Sequence, residues 1–265
     1  MTGPAGSLVH AVEEVARLAG NVALGHFRTA LRVETKHDGS PVTVADRDAE
    51  RAARAWIEQR FPEDGILGEE LGHARPDAAR RWVLDPIDGT KSFVRGVPLW
   101  GTLVAVVERD TVLAGAAYFP ATGEMVVAGV EAGCWWNGAR CRVSSVASLA
   151  DATVLTTDER FPHDPGQLEA WHRLAQRAAL SRSWGDCYGY LLVATGRADV
   201  MVDGILNPWD AAPFLPIIEE AGGVLTDWRG ERTAFGGNAI ATNQALAAAA
   251  RQALGATGSR PEHSE

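Results

Sequence analysis

The sequence predicts an α/β protein built in two parts, an α+β portion over residues 1–143 and an α/β portion over residues 144–265. Three observations carry that prediction. Apolar residues recur twice at helical spacing before residue 60, short apolar runs divided by Gly, Asp or Pro follow from Arg81, and beyond about Ser148 strand-like and helix-like patterns alternate. At 265 residues, 46% of them apolar and 22% charged, the chain is long enough to bury a full core as one large domain or two closely packed ones.

Taken in order, Leu8, Val12, Val15, Ala19 and Val22 share a face with Glu13, Glu14 and Arg17 opposite, so the chain opens with an amphipathic helix whose apolar stripe is core. Lys36-His37-Asp38-Gly39-Ser40-Pro41 is a turn-forming run. A second helix gathers Ala49, Ala52, Ala53, Trp56 and Ile57, and Phe61-Pro62-Glu63-Asp64-Gly65 ends it. Trp82-Val83-Leu84, Leu99 to Val107, Thr111 to Phe119, Glu124 to Val130 and Cys134 to Trp136 then read as a strand meander. Asn137-Gly138 marks a hairpin, because both central positions of that turn need positive φ. The second part reads as strands at Thr153 to Thr156, Asp199 to Val202 and Ala239 to Ala241. Its helices are expected at Gln167 to Leu180, Tyr188 to Thr195, Trp209 to Ala221 and from Gln244, ahead of a frayed polar tail at Gly255 to Glu265.

Composition excludes several classes of function. Lys+Arg 25 against Asp+Glu 34 leaves a net charge of −9, which argues against nucleic acid as a partner. Leu99 to Val107, the longest strongly apolar stretch, falls far short of the ~20 residues of a membrane span. The N-terminus lacks a basic region followed by an apolar core, so a cytoplasmic location is expected by default. Cys134, Cys141 and Cys187 form no CxxC pair and cannot all pair within the chain, so they read as reduced thiols. The seven histidines show no HxH or HExxH spacing, and Gly222-Gly223 lacks the context of a dinucleotide fingerprint.

Chemistry concentrates in Trp82-Val83-Leu84-Asp85-Pro86-Ile87-Asp88-Gly89-Thr90, where a buried strand runs into two carboxylates and then a Gly-Thr at which a helix can begin. Asp85 and Asp88 with the Ile87 carbonyl between them can hold a hard cation, and the N–H groups of Gly89 and Thr90 can meet an anion. Ordinary turn chemistry explains the same composition. Three other acidic spots lie at element ends: Gly68-Glu69-Glu70 after Ile66-Leu67, Asp46 where an extended run enters a helix, and Asp210 in Asn207-Pro208-Trp209-Asp210. Each alone reads as a loop or a helix cap; together they suggest a multi-metal phosphoryl site.

Asp85-Pro86-Ile87-Asp88-Gly89-Thr90, with Gly68-Glu69-Glu70 upstream and Trp209-Asp210-Ala211-Ala212 through Glu220-Ala221-Gly222-Gly223 downstream, resembles the inositol-monophosphatase superfamily of magnesium-dependent, lithium-sensitive phosphatases. Within it, Asp88 through Thr102 and Arg182-Ser183-Trp184-Gly185-Asp186-Cys187-Tyr188-Gly189-Tyr190 are most similar to histidinol-phosphate phosphatases of actinobacterial type. The resemblance implies a layered αβαβα sandwich, frequently a homodimer, with two or three magnesium ions per site. It implies Glu69, Asp85 and the Ile87 carbonyl as ligands of one ion, Asp85, Asp88 and Asp210 of a second, and Glu69 facing a third. Asp46 and Thr90 would orient the water that the metals activate for in-line attack, while Gly89 and Thr90 receive phosphate oxygens. The implied substrate is L-histidinol phosphate, a small phosphorylated molecule of histidine biosynthesis, with Asp203, Asp186 and Trp184 facing its organic part. Arg182 meets phosphate or pairs with surface acid, and Asp186 caps a helix or meets the substrate. An inositol-1-phosphate or broad sugar-phosphate phosphatase, and a regulatory protein contacting RNA polymerase or RNA, are the alternatives.

Overall fold

The computed structural model describes residues 4–255 except 37, 38, 40 and 163. The tail beyond Gly255 and half of the turn from Lys36 to Pro41 therefore lie outside the described residues. Helix α1 (Pro4–His26) buries Val9, Val12, Val15, Ala16 and Ala19 along one face. A short hairpin, β1 (Glu34–Thr35) with β2 (Pro41–Val42), leads into α2 (Val44–Arg60). Thr43 caps α2, and Asp46, three residues on, reaches back to the Thr43 N–H. Asp46 is thus the return half of a capping box, where the sequence reading made it the cap itself.

Next come β3 (Gly65–Gly68), β4 (Gly72–Ala74), β5 (Arg80–Asp88), the single turn α3 (Thr90–Phe93), β6 (Gly101–Glu108), β7 (Thr111–Phe119), β8 (Glu124–Gly129), β9 (Gly133–Trp136) and β10 (Ala139–Arg140). They form one eight-stranded sheet in the order β10-β9-β8-β7-β6-β5-β3-β4. The meander is antiparallel throughout, and Asn137 and Gly138 turn its last hairpin at φ 48° and 80°. Within this sheet only β3 and β5 run parallel, with Gly68 opposite Leu84, so Glu69, just past the end of β3, comes beside Asp85 of β5.

The second part supplies β11 (Thr153–Thr156), α4 (Pro165–Ala175), β12 (Leu180–Arg182), α5 (Asp186–Ala194), β13 (Val200–Asp203), α6 (Pro208–Ala211), α7 (Phe214–Glu220), β14 (Gly223–Thr226), β15 (Ala239–Asn243) and α8 (Ala247–Leu254). Its five strands are ordered β12-β11-β13-β15-β14. Two expected helices are revised. Leu180, expected to end a helix, begins edge strand β12, since a short apolar run at a helix end does not distinguish strand from helix. The helix expected from Trp209 to Ala221 divides at Pro213, which has no N–H to give and crowds the turn before it.

Five layers result: α1 and α2 cover one face of the large sheet, α5 and α7 lie between the sheets, and α4 and α8 cover the small sheet. Gly115 of β7 lets the middle layer approach, because any side chain there would run into the Pro213 backbone.

Candidate active site and metal centre

The ends of β3 and β5 and the starts of α2, α5 and α6 meet at one place. Asp85 is buried, and its Oδ1 accepts the Ile87 N–H at 3.0 Å. Between Asp85 and Asp88 the β5–β6 register shifts, so two residues of β5 face Thr102 alone. Thr102 Oγ1 donates to Pro86 O at 2.7 Å, which pins this bulge and aims Asp85 and Asp88 off the end of the strand. Gly89 follows at φ 87°, a conformation that favours glycine, and a Cβ there would press on Leu99 O and the Asp186 carboxylate.

Asp210 arrives from the other part of the chain. It sits in a capping box with Asn207 at the start of α6, its Oδ2 accepting the Asn207 N–H at 2.7 Å. The cap is therefore Asn207, and Asp210 is its partner three residues on. Oxygens of Asp85, Asp88 and Asp210 lie within 4.8 Å of one another.

Burial and mutual repulsion push these acids up. Asp85, crowded by Glu69, Asp88 and Asp210, and Asp88, crowded by Asp186 and Asp210, are held well above the ordinary carboxylate range, mainly by burial. Burial also takes Asp210 to about 7, against the Asn207 hydrogen bond. Among the described residues no lysine or arginine is paired with these three. A cluster of hard oxygen donors, Asp85 buried and Asp88 and Asp210 half-buried, without a cationic side chain paired to it among the described residues is the donor set that Mg2+ and similar dications take, so the residues fit such an ion.

Glu69 stands at the edge of the cluster. It faces Asp85 but is engaged by Lys36 Nζ at 2.6 Å, and the same ammonium also grips Glu70. Burial alone would lower the Lys36 pKa, yet the two carboxylates hold it above its ordinary value. Burial lifts Glu70 to about 7 despite Lys36. Glu50, on α2, fixes this turn by accepting the Glu70 N–H at 2.8 Å and the Leu71 N–H at 3.2 Å. Asp46 lies close by, buried, with Oδ2 taken by the Thr43 N–H and hydroxyl at 2.8 and 2.7 Å. Thr90 Oγ1 donates to the Ile87 carbonyl at 2.9 Å, so one lone pair of that proposed ligand is already used.

The remaining predicted residues divide. Asp186 does not cap α5 through its side chain; Gly185 is the cap, and the Asp186 carboxylate hangs beside Gly89 over the acidic cavity. Asp203 is buried at the end of β13, accepting the Tyr190 O–H at 2.9 Å and the Thr157 N–H at 3.1 Å, and burial raises it to about 6. It separates a cavity of about 100 Å³ at Asp88, Asp186 and Asp210 from a second of about 340 Å³ beyond. Trp184, 40% exposed, and Arg182, exposed and donating to the neighbouring Ser181 O at 2.7 Å, line neither cavity.

Several residues escaped the sequence reading. Cys187 N donates to Asp88 Oδ2 at 2.6 Å, a link between the two parts of the chain. Tyr190, one helical turn on, holds Asp203. The larger cavity is walled by Asp158, Arg160, Phe161 and Gln167, all from the loop after β11 and the start of α4. Their one advance signal is polar and aromatic residues in a connection, which ordinary loops share.

Known proteins resemble this chain over nearly its whole length. The model of the inositol monophosphatase family matches residues 7–259. A histidinol-phosphatase of Chlorobaculum parvum is 43% identical over 235 residues, 88% of this chain and 91% of that protein. One from Mycobacterium tuberculosis is 38% identical, covering 82% of this chain and 85% of its own. An inositol monophosphatase structure from Zymomonas mobilis superposes with a TM-score of 0.85 at 34% identity, covering 96% of this chain and 99% of that one.

Proposed function

The chain belongs to the inositol monophosphatase family, and from that premise we propose that it is a magnesium-dependent phosphomonoesterase that hydrolyses L-histidinol phosphate to L-histidinol and phosphate. The observation that carries the substrate is the identity of 43% and 38% to two histidinol-phosphatases over more than four fifths of the chain. A carboxylate-lined passage beside the metal centre supports it. Histidinol offers an ammonium and an imidazole, both hydrogen-bond donors, where an inositol ring offers only hydroxyls.

In this reading Glu69, Asp85 and the Ile87 carbonyl would hold one magnesium, Asp85, Asp88 and Asp210 a second, and Glu69 would face a third. When bound, the ions supply positive charge against the dianionic phosphate and make water easier to deprotonate. The protein's own groups do the rest. Gly89 and Thr90 N–H groups receive phosphate oxygens at the bulge. Thr90 Oγ1 spends its proton on Ile87 O and so keeps lone pairs to orient the attacking water, with Asp46 as the second orienting group. Asp186 meets the cationic end of the leaving group, while Asp203 holds Tyr190 and Thr157 as the rim between the cavities. Asp158, Phe161 and Gln167 bound the larger cavity, which receives the imidazole.

Residues 1–143 then carry most metal ligands, and residues 144–265 carry Asp210 and the substrate contacts. The same reading makes the protein a cytoplasmic homodimer inhibited by lithium. The test is phosphate release from histidinol phosphate, inositol 1-phosphate, fructose 1,6-bisphosphate and a 3′-phosphonucleotide at equal magnesium. Histidinol phosphate is expected to give the highest kcat/KM. Faster turnover of inositol 1-phosphate would overturn the substrate assignment and leave the family untouched.

A further inference from the structure

Remote from the acidic cluster, the sulfurs of Cys134 and Cys141 lie 3.2 Å apart. Cys134 is on β9 and Cys141 directly follows β10, across the hairpin turned by Asn137 and Gly138. Register pairs of Trp136 with Ala139 and Trp135 with Arg140 bring the two cysteines opposite each other, and Cys141 N donates to Cys134 O at 3.2 Å. A disulfide needs the sulfurs about 2.05 Å apart, so closure asks the two sulfurs to approach by about 1 Å within a hairpin already in register. Neither thiol takes part in the chemistry proposed above.

We propose that Cys134 and Cys141 are a redox-active dithiol that closes to an intrachain disulfide by exchange with a low-molecular-weight disulfide. The two sulfurs have different places. Cys134 is fully buried, whereas Cys141 keeps 9% of its surface and is the less buried of the two. The sulfur–sulfur contact with Cys134, aided by Arg140, holds the Cys141 thiol below its ordinary pKa, while that contact and burial push Cys134 up. Cys141 as thiolate attacks one sulfur of the reagent, whose S–S bond breaks and releases one small thiolate. Cys134 then gives its proton to solvent and attacks Cys141 Sγ, and the second small thiolate leaves. Two protein thiols are oxidised and one small disulfide is reduced to two thiols. The new bond ties the hairpin just before Val143, whose N–H donates to Ala221 O, where the chain passes from one sheet to the other.

Cys187 is an internal control, since it is buried and its Sγ faces the Asp88 carbonyl at 3.7 Å. The experiment incubates the full-length protein with oxidised glutathione, then counts free thiols after denaturation and maps peptides by mass spectrometry. Expected are one remaining thiol, at Cys187, a mass loss of about 2 Da for the two thiol hydrogens, a crosslink between the 134 and 141 peptides, and a higher Tm that dithiothreitol reverses. Cys134→Ser is expected to leave glutathione attached at position 141, and Cys141→Ser to leave Cys134 unmodified. Three surviving thiols in the unmutated protein, or a stable glutathione adduct at Cys141 without the crosslink, would overturn the proposal.

Discussion

Two sets of carboxylates wholly or partly withdrawn from solvent are treated in opposite ways in this molecule. Asp64, just before β3, is 5% exposed, and its Oδ2 accepts from Arg80 Nε at 2.8 Å and Trp82 Nε1 at 2.9 Å. Asp85, Asp88 and Asp210 are gathered with one another instead, without an arginine or lysine among the described residues to pair them. A charge buried for stability is matched by the protein's own donors. A set left crowded is, in the function proposed above, matched by the ions it would bind. The contrast separates structural acids from functional ones more sharply than burial alone, and each prediction below tests it.

The largest effect is expected at Asp88. Asp88→Asn removes a charge from the cluster while keeping an acceptor for the Cys187 N–H, so phosphatase activity is expected to fall by about a hundredfold or more with Tm held or raised. Unchanged kcat at moderate magnesium would mean that the crowding has no catalytic purpose.

Asp186 comes next, because it lines the same cavity and the proposed function sets it against the cationic end of the substrate. Asp186→Asn is expected to lower kcat/KM for histidinol phosphate by roughly ten- to a hundredfold, the value of about 1.5–3 kcal/mol for a charge-assisted hydrogen bond. A neutral phosphomonoester, measured in parallel, is expected to change little. Equal losses on both substrates would assign Asp186 to the metal centre.

How much of this was legible in the sequence follows from how locally each feature is encoded. Asp85, Ile87, Asp88 and Gly89 lie in one short segment, and the strand pattern before them already pointed its end at solvent. The hairpin at Asn137-Gly138 was readable because positive φ at both positions constrains residue choice. Caps were harder: Asp46 and Asp210 were both assigned to helix starts, yet each is the return residue of a box whose first member, Thr43 or Asn207, lies three positions earlier. Pro213 announced the break between α6 and α7, but the apolar periodicity on both sides masked it. The clasp of Lys36 on Glu69 and Glu70, and of Cys187 on Asp88, joins residues 33 to 99 positions apart, and no local pattern encodes such pairs.

Asp64 gives the converse test. Asp64→Ala leaves the buried Trp82 indole N–H without its acceptor and Arg80 without its partner, so stability is expected to fall by about 1–3 kcal/mol. Below the lowered Tm, kcat is expected to match the unmutated protein. A comparable loss of kcat would erase the distinction between the two sets.

The smallest effect is the most diagnostic, since it reads the crowding itself. Asp210 and Glu70 are lifted to about 7 and Asp203 to about 6, in each case chiefly by burial, while Asp85 and Asp88 stand well above the ordinary range. Between the ordinary carboxylate range, about 4, and these raised values, the native protein binds more protons than the unfolded chain, so the slope of unfolding free energy with pH is negative. Metal-free protein is therefore expected to lose Tm as pH rises from about 5 to 8, the opposite of a fold held by salt-bridged acids. Asp158, lowered to about 2 by its Arg160 hydrogen bonds, works in the other sense but only below about 4, outside this window. Magnesium bound as proposed would favour the ionised cluster, so its stabilisation is expected to grow with pH over the same interval and to shrink the slope. Asp210→Asn is expected to flatten the metal-free slope. A metal-free Tm that climbed through this window would show that the cluster is satisfied within the fold, and the comparison between the two sets would fail.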